Sequence, residues 1–462
     1  MGLCSIIQNS KLAEGETLSN PSVLIEAYNL GLHGGTGIAT YIANLLRAVR
    51  ANGYSVDGLL HSYASLQQKE AIVDEVRFHD LRNSRPSKFV TRVESNWRRG
   101  IGLPLGIRAQ QLMRSGMIVD SGAAGLAATR MFDHAYVGRM FMEFSRFHFN
   151  RYGVAARLSI PGRVPNLFHA TQMVPLRVVG AANVYTIHDL VPILLPYTTL
   201  DDKRFFLSAV RHLCKKADHI VTVSEKSKAD IIALAGIEEK RITNTFQAIS
   251  IPDNLLAITD DEVALRVRNL FGLEFQEYFL FCGALEPKKN VSRLINAYAA
   301  SGSKHPLVIA GPLGWEYQAD LDRINDDRFT NWTMSNNTIS RHRKVRHLNY
   351  LPYAHLIVLM RGARALLFPS LYEGFGLPVL EAMTLGTPVI TSTAGSLREV
   401  TGDAGILVDP LDTDALQKAI EDVDADEALR AELSRRGRNQ SKKFSAEAYQ
   451  RRVADLYKSI LG

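Results

Sequence analysis

"ALLFPSLYEGFGLPVLEAMTLGTPVITST", residues 365–393, sets an apolar run, a loop, a helix-forming stretch and a second apolar run in succession. ALLFPS reads as a strand buried on both faces. Leu371 to Leu377 form the loop after it, and Pro378 suits the first position of a helix that Gly386 ends. PVITST then starts the next strand, and a strand–helix–strand unit of this kind lays its two strands parallel.

The same alternation runs along the chain. VLIEAYNL (23–30), LFHAT (167–171), NVYTIHDL (183–190), HIVTVSE (219–225) and RITNTFQAI (241–249) form one series of short apolar runs. YFLFCGAL (278–285), LVIAGPL (307–313), VRHLNYL (345–351), ALLFPS, PVITST and GILVD (405–409) form a second. Between them lie helical stripes such as Ile38, Ile42, Leu45, Leu46 and Val49, closed by Gly53, and Val291, Leu294, Ile295 and Tyr298, with Asn290 as the expected N-cap. A chain of 462 residues is too long for one hydrophobic core. The expected fold is therefore α/β, two Rossmann-like doubly wound domains facing across a cleft. The first covers 1–250, with a basic insertion near 82–150, and the second covers 263–445. SIPDNLLAITDDE lacks strong periodicity and carries a proline, which puts the linker at about 250–262. Residues 446–462 form an amphipathic helix able to fold back on either domain.

The net charge of +7 is concentrated: residues 82–115 hold eight Arg or Lys against the single acid Glu94, and the rest of the chain is balanced. Cys4, Cys214 and Cys282 lie far apart, in no pairing or metal-ligand spacing, so a disulfide framework and a zinc site are not expected and the cytoplasm is. The stretch MGLCSIIQNSKLAEGE has no basic region followed by a long apolar core, so no export signal is expected. No apolar run approaches the roughly 20 residues that span a bilayer. The longest are short strand-like pieces such as HLIVLM.

In open α/β sheets, ligands sit at the carboxyl ends of strands, where loops feed helix N-termini. NLGLHGGTGIATYI (29–42) follows the first run, and Gly34, Gly35 and Gly37 let backbone N–H groups approach an anion. It is not a dinucleotide fingerprint, because Thr40 stands where Gly or Ala is needed. TIHDLVP puts His188 and Asp189 just past a strand end, where a histidine is about as often a packed residue as a ligand contact. GALEPKKNVSRL puts Lys288 and Lys289 directly before a helix N-terminus. Cations there oppose the helix dipole, and a bound phosphate would resolve the conflict.

In the opening stretch Glu373 falls in an exposed loop and Glu381 in the first helical turn, facing one crevice. A carboxylate accepts two hydrogen bonds at once, which suits the vicinal diols of a sugar ring or ribose. The amides of Phe375, Gly376 and Leu377 add donors. Either acid alone reads as a solvated residue or a complement to its helix dipole; the pair, with lysines and glycines at matching strand ends, reads as a binding crevice. DVDADEA (422–428) contains a D-x-D triplet but continues a helical pattern, so it reads as a solvated face and no metal site is expected.

At these residues the sequence closely resembles the retaining nucleotide-sugar-dependent glycosyltransferases of the GT-B fold, the bacterial "group 1" family. The resemblance rests on GGTGIATYIANLLRAV, TIHDLVPI, VTVSEKSKADI, GALEPKKNVSRLINAY, LVIAGPLGW and the block from Pro369 to Pro410 with its E-x7-E spacing. It implies a nucleotide-sugar donor on the second domain, a glycan or lipid-linked acceptor mainly on the first, and no cofactor. It further implies catalytic roles for His188, Glu373 and Lys289. Glu373 would hold donor-sugar hydroxyls, Lys289 the diphosphate, His188 the sugar near the reacting carbon, and Glu381 the ribose. Gly35, Gly37, Phe375, Gly376 and Leu377 would supply backbone contacts. Ala284 stands where the family often has Arg, which makes Lys288 the candidate for the second phosphate cation. The LEPKKN and GPLGW blocks suggest mannosyl or rhamnosyl transfer in cell-surface polysaccharide assembly, with GDP-mannose as the favoured donor.

Two other functions fit the sequence less well. A nucleotide-sugar epimerase on the same plan is disfavoured by the E-x7-E block, and a non-catalytic surface-binding protein by the complete set of cleft residues. In the basic segment Phe89, Val93 and Trp97 form an apolar stripe flanked by Lys88, Arg92 and Arg99, which suits an anionic membrane surface and equally a stripe packed on the domain with its arginines solvated. No nucleic-acid motif accompanies the charge, so nucleic acid is not an expected partner.

Overall fold

The structure is a computed structural model describing residues 20–31, 37–81, 106–118, 129–335 and 338–462. Glycines 34 and 35, and residues 82–105 of the basic segment, lie outside the described residues.

The first domain contains β1 (Ser22–Glu26), β2 (Ser55–Ser62), β3 (Ile107–Arg108), β4 (Gln110–Leu112), β5 (His134–Arg139), β6 (Ala156–Ser159), β7 (Leu167–Ala170), β8 (Leu176–Val178), β9 (Ala182–Thr186), β10 (His219–Thr222) and β11 (Ile242–Asn244). An eight-stranded sheet runs β11-β10-β9-β7-β1-β2-β5-β4. All its pairings are parallel except that of β4 with β5. A small parallel sheet, β3-β6-β8, flanks it.

The second domain contains β12 (Phe279–Cys282), β13 (Leu307–Ala310), β14 (Thr330–Ser335), β15 (Thr338–Arg343), β16 (Val345–Leu348), β17 (Ala365–Phe368), β18 (Val389–Ser392) and β19 (Ile406–Val408). Its six-stranded parallel sheet runs β16-β13-β12-β17-β18-β19, with β14 and β15 as an antiparallel hairpin. Strand order reverses between β12 and β17 here, and between β1 and β7 in the first domain. Those reversals are where open α/β sheets form ligand crevices.

Helices cover the sheets. Strands such as β12, β13 and β17 are buried along their whole length, as parallel strands between helical layers must be. HLIVLM is not strand-like: it lies in the helix Tyr353–Arg361, with Ile357, Val358, Leu359 and Met360 buried. A short continuous apolar run has no periodicity to separate a buried helix from a strand. Residues 250–262 are not featureless: Asp253–Leu256 is a helical turn and Thr259 caps the helix Asp260–Phe271, with Leu255 and Ile258 buried. The D-x-D triplet Asp422–Asp424 lies within the helix Thr413–Ala425, as its pattern predicts, and the helical pattern breaks only after it. Asp424 pairs with Arg364, 2.8 Å away, and the Asp426 side chain accepts the Leu429 N–H to start a new helix at Glu427.

The C-terminal helix Ala446–Leu461 settles on the first domain, along the helix Gly37–Ala51. The Tyr457 hydroxyl lies 2.7 Å from His169 Nδ1, and His169 Nε2 lies 2.8 Å from the Thr186 hydroxyl, which in turn meets the Tyr41 hydroxyl at 2.8 Å. All four side chains are buried. A buried polar chain with every partner present fixes its members in place.

Candidate active site

The second-domain crevice opens at the carboxyl ends of β12 and β17. After β12 the backbone passes Gly283, whose φ is 153°, close beside Gly311 at φ 154°. A Cβ at Gly311 would stand 2.0 Å from the Gly283 carbonyl oxygen, so only glycine fits. The chain then makes the 3-10 turn Pro287–Lys289 before the helix Val291–Ala300.

Asn290 does not cap that helix with its side chain. It sits in the left-handed region at φ 61°, and its amide donates to the Pro369 carbonyl at 3.1 Å and the Pro410 carbonyl at 2.7 Å. The Leu371 N–H donates to the Lys288 carbonyl at 2.8 Å. The lysine turn and the loop after β17 are thereby tied into one unit.

Within that unit the Lys289 ammonium lies 2.6 Å from the Glu373 carboxylate and 4.8 Å from the centre of the Phe368 ring. Glu373 is therefore not an exposed loop acid; its side chain is 12% exposed and that of Lys289 13%. Burial alone would raise the Glu373 pKa, but Lys289 and Lys288 outweigh it and hold the carboxyl below its ordinary value. Burial disfavours the Lys288 charge, yet the carboxylates of Glu373, Asp189, Glu286 and Asp201 hold its pKa above the usual range.

Glu381 lies in the second turn of the helix Leu377–Leu385, not the first, because the helix begins at Leu377. It is 8% exposed, and the Tyr353 hydroxyl donates to it at 3.1 Å. Burial pushes its pKa up to about 7, against the lowering effect of the Tyr353 bond. Cys282, at the end of β12, is close enough to feel both neighbours: burial pushes the thiol up to about 12, with Glu381 adding to the shift and Lys289 opposing it. Lysine pair and glutamate pair thus surround the ends of two adjacent strands.

The amides of Phe375, Gly376 and Leu377 open the Leu377 helix, where the first turn has no internal acceptor. Gly376 adopts φ 101°, and a Cβ there would meet Leu397 Cδ2 at 2.6 Å. Ser396 holds the loop in place: its hydroxyl lies 2.8 Å from the Phe375 carbonyl and 3.0 Å from the Glu373 carbonyl, so its single proton is donated to one or shared between them.

The first domain meets this loop directly. A Cβ at Gly374 would stand 2.8 Å from the His188 carbonyl oxygen and 2.9 Å from Asp189 Oδ2; one at Gly37 would stand 3.5 Å from Leu377 Cδ1. The helix N-termini at Gly37 and Leu377 therefore face each other across the cleft. His188, half-buried, donates its Nε2–H to the Thr171 carbonyl at 2.8 Å, which leaves Nδ1 as the acceptor of the neutral ring. Burial holds its pKa below the ordinary value, against the raising effects of that bond and of Asp189.

Several residues here carried no motif. Glu26, buried at the end of β1, accepts from the Tyr28 N–H at 2.7 Å and the Thr171 hydroxyl at 2.8 Å, and so fixes the segment that receives His188. Glu399 accepts the N–H groups of Glu225 and Lys226 at 2.9 and 3.1 Å, joining the second domain to the N-terminus of the helix Glu225–Ala235 in the first. Tyr372 donates to Asp230 across the same boundary. Tyr353 offered no spacing signal, and Glu26 was legible only as the last acid of a predicted strand.

This crevice has fixed cations, paired carboxylates and two helix N-termini, equipment for a ligand that carries both phosphate and vicinal hydroxyls. Residues 270–440 match the family "Glycosyl transferases group 1" and residues 129–244 match "Glycosyltransferase Family 4". The chain is 35% identical over 282 residues to O-antigen chain mannosyltransferase B of Escherichia coli, covering 60% of this chain and 70% of that one. Its fold is similar to that of sucrose-phosphate synthase from Thermosynechococcus elongatus, with a TM-score of 0.62 at 17% identity over 95% of this chain and 98% of that one. It is similar also to Anabaena Alr3699/HepE in complex with UDP and glucose, with a TM-score of 0.62 at 15% identity over 95% of this chain and 100% of that one. The matched regions include both lysines, both glutamates and His188, and the chain belongs to the group 1 glycosyltransferases, with their GT-B fold.

Proposed function

We propose that the protein transfers mannose from GDP-mannose to a hydroxyl of a glycan or lipid-linked acceptor, with retention of anomeric configuration, during cell-surface polysaccharide synthesis. The observation that carries the reading is the Lys289–Glu373 pair at the β12–β17 switch point, 2.6 Å across. The name of the Escherichia coli relative supports mannose as the sugar.

Breaking a sugar–phosphate bond builds negative charge on the departing diphosphate and positive charge at the anomeric carbon. In this reading Lys289, with Lys288 beside it, takes up the first, aided by the N–H groups of Phe375 to Leu377 and of Gly35 and Gly37. Lys289 has three donors, so it can hold Glu373 and a phosphate oxygen together. Glu373 accepts hydroxyls of the donor sugar, and its carboxylate stays ionised under the lysines. Glu381 grips the ribose diol, and His188 lies against the sugar from the first domain. The acceptor hydroxyl attacks from the face the phosphate leaves, and the departing phosphate takes its proton. Fixed cations supply the charge stabilisation, so transfer proceeds without added divalent metal.

No described helix is long and apolar enough to cross a membrane. We place the enzyme in the cytoplasm, against the inner face of the cell membrane, through the basic stretch 82–115. The test of function is to incubate the purified chain with UDP-, GDP- and dTDP-sugars, score stabilisation by each, and determine the anomeric configuration of the product by NMR. Stabilisation by GDP-mannose alone and an α-linked product support the reading. A product of inverted configuration contradicts it.

A further inference from the structure

The first domain has a second concavity, away from the cleft. β6, β8, the start of β9 and the last turns of the helix Lys203–Lys216 line an open concavity of about 670 Å³, within the roughly 300–1,000 Å³ of small-molecule sites. It lies at the amino end of β9, beside Ala181 and Asn183, whereas His188 follows the carboxyl end of that strand. A five-residue strand at about 3.3 Å per residue separates the two by about 17 Å, so the concavity lies at the opposite edge of the sheet from the cleft.

Arg157, Arg177 and Lys216 line this cavity, and none has an ion-pair partner among the described residues. The carboxylate on the wall, Asp218, accepts the Asn183 N–H at 2.7 Å. The imidazole of His212 registers the cations: burial lowers its pKa first, and Lys216 and Arg177 lower it further. The walls are set before any ligand arrives. Asn183 bonds the Val178 N–H and the carbonyls of Val178 and Ala181, at 2.7 to 3.0 Å, and the Tyr185 hydroxyl donates to the Leu176 carbonyl at 2.7 Å. Three like charges lining one concavity repel one another unless an anion offsets them. Arginine's planar fork matches phosphate oxygens in particular.

We infer that this cavity is a second anion-binding site, which takes the phosphate group of a phosphorylated saccharide or free phosphate. It is independent of the donor site. The volume exceeds what a phosphate alone fills, and Gly106 also lines a second concavity of about 490 Å³, with Arg108 and Arg139. A saccharide attached to the bound phosphate therefore has room and further cationic lining.

The test is calorimetric titration of the full chain with inorganic phosphate and with mannose 6-phosphate, in the parent and in the triple variant Arg157→Ser, Arg177→Ser, Lys216→Ser. The side chains are exposed, so the variant should keep the parental melting temperature and nucleotide binding. Its affinity for the phosphate probe should fall by at least about tenfold, the loss of one charged hydrogen bond. Asp218→Asn should strengthen binding. Tighter binding of mannose 6-phosphate than of phosphate identifies a phosphorylated saccharide as the ligand, and equal binding identifies free phosphate. No saturable binding in the parent, or parental affinity in the triple variant, overturns the site.

Discussion

The Lys289 ammonium and the Glu373 carboxylate sit 2.6 Å apart, each nearly enclosed, with the backbone of residues 288 and 371 hydrogen-bonded beside them. Without ligand, the carboxylate neutralises a cation that the helix dipole alone would disfavour. The pair is therefore part of the fold as well as of the site.

Stability should report that double role. Glu373→Gln and Lys289→Ala should each cost about 2 kcal/mol, below the full penalty of about 3–5 kcal/mol for a completely buried pair. Combining them should cost less than the sum. Chemical denaturation of the four proteins in a double-mutant cycle checks this; strictly additive losses would mean the contact is energetically silent.

Glu381 should make stability depend on pH. Burial holds its folded pKa up to about 7, above its ordinary 4.5. The folded state therefore binds the proton more tightly, and this contribution to stability is complete below about pH 4.5 and is lost as pH rises through 7. Glu381→Gln should flatten the stability profile in that window and gain about 3 kcal/mol at pH 8, from about 1.4 kcal/mol per pH unit. Parallel profiles for parent and variant would reject the assignment.

Gly374→Ala would drive a methyl group into the His188 carbonyl and Asp189, at 2.8 and 2.9 Å. The loop must then retreat from the first domain. Misplacement by about an ångström can cost about 10²-fold in rate, so kcat should fall by that order while the melting temperature changes little. Parental kcat would show that the contact does not position the site.

Ending the chain after Ser445 should unfold the first domain or lower its melting temperature sharply. It removes Tyr449 and Tyr457, both buried, and leaves His169 Nδ1 without its partner. Tyr457→Phe, a milder change, should cost about 1–2 kcal/mol. Thermal melts of both variants decide the point.

The order of strands and helices was legible because parallel strands buried on both faces leave continuous apolar runs, as in β12, β13 and β17. β2 was not, because Asp57 and Gly58 interrupt SVDGLLHS. The structure explains the glycine: a Cβ at Gly58 would stand 2.5 Å from the Phe132 ring. In the site, motif spacing identified Glu373, Glu381 and the lysines but not their state. Whether a loop carboxylate is solvated or buried depends on which loop lies next to it, and Lys289 is 84 residues distant in sequence. Asn290 stands at the N-cap position its spacing predicts, but its side chain turns away from the helix to Pro369 and Pro410, which belong to other loops. Tyr353, Glu26 and Glu399 act through contacts that no local pattern encodes.

The most direct test of the account is the transfer rate from GDP-mannose in Lys289→Ala, measured on protein shown to be folded by circular dichroism, with EDTA present. Loss of one charge partner at the departing diphosphate predicts a fall of about 10²-fold or more from a parental rate that EDTA leaves unchanged. Parental turnover in Lys289→Ala would contradict the role given to the Lys289–Glu373 pair.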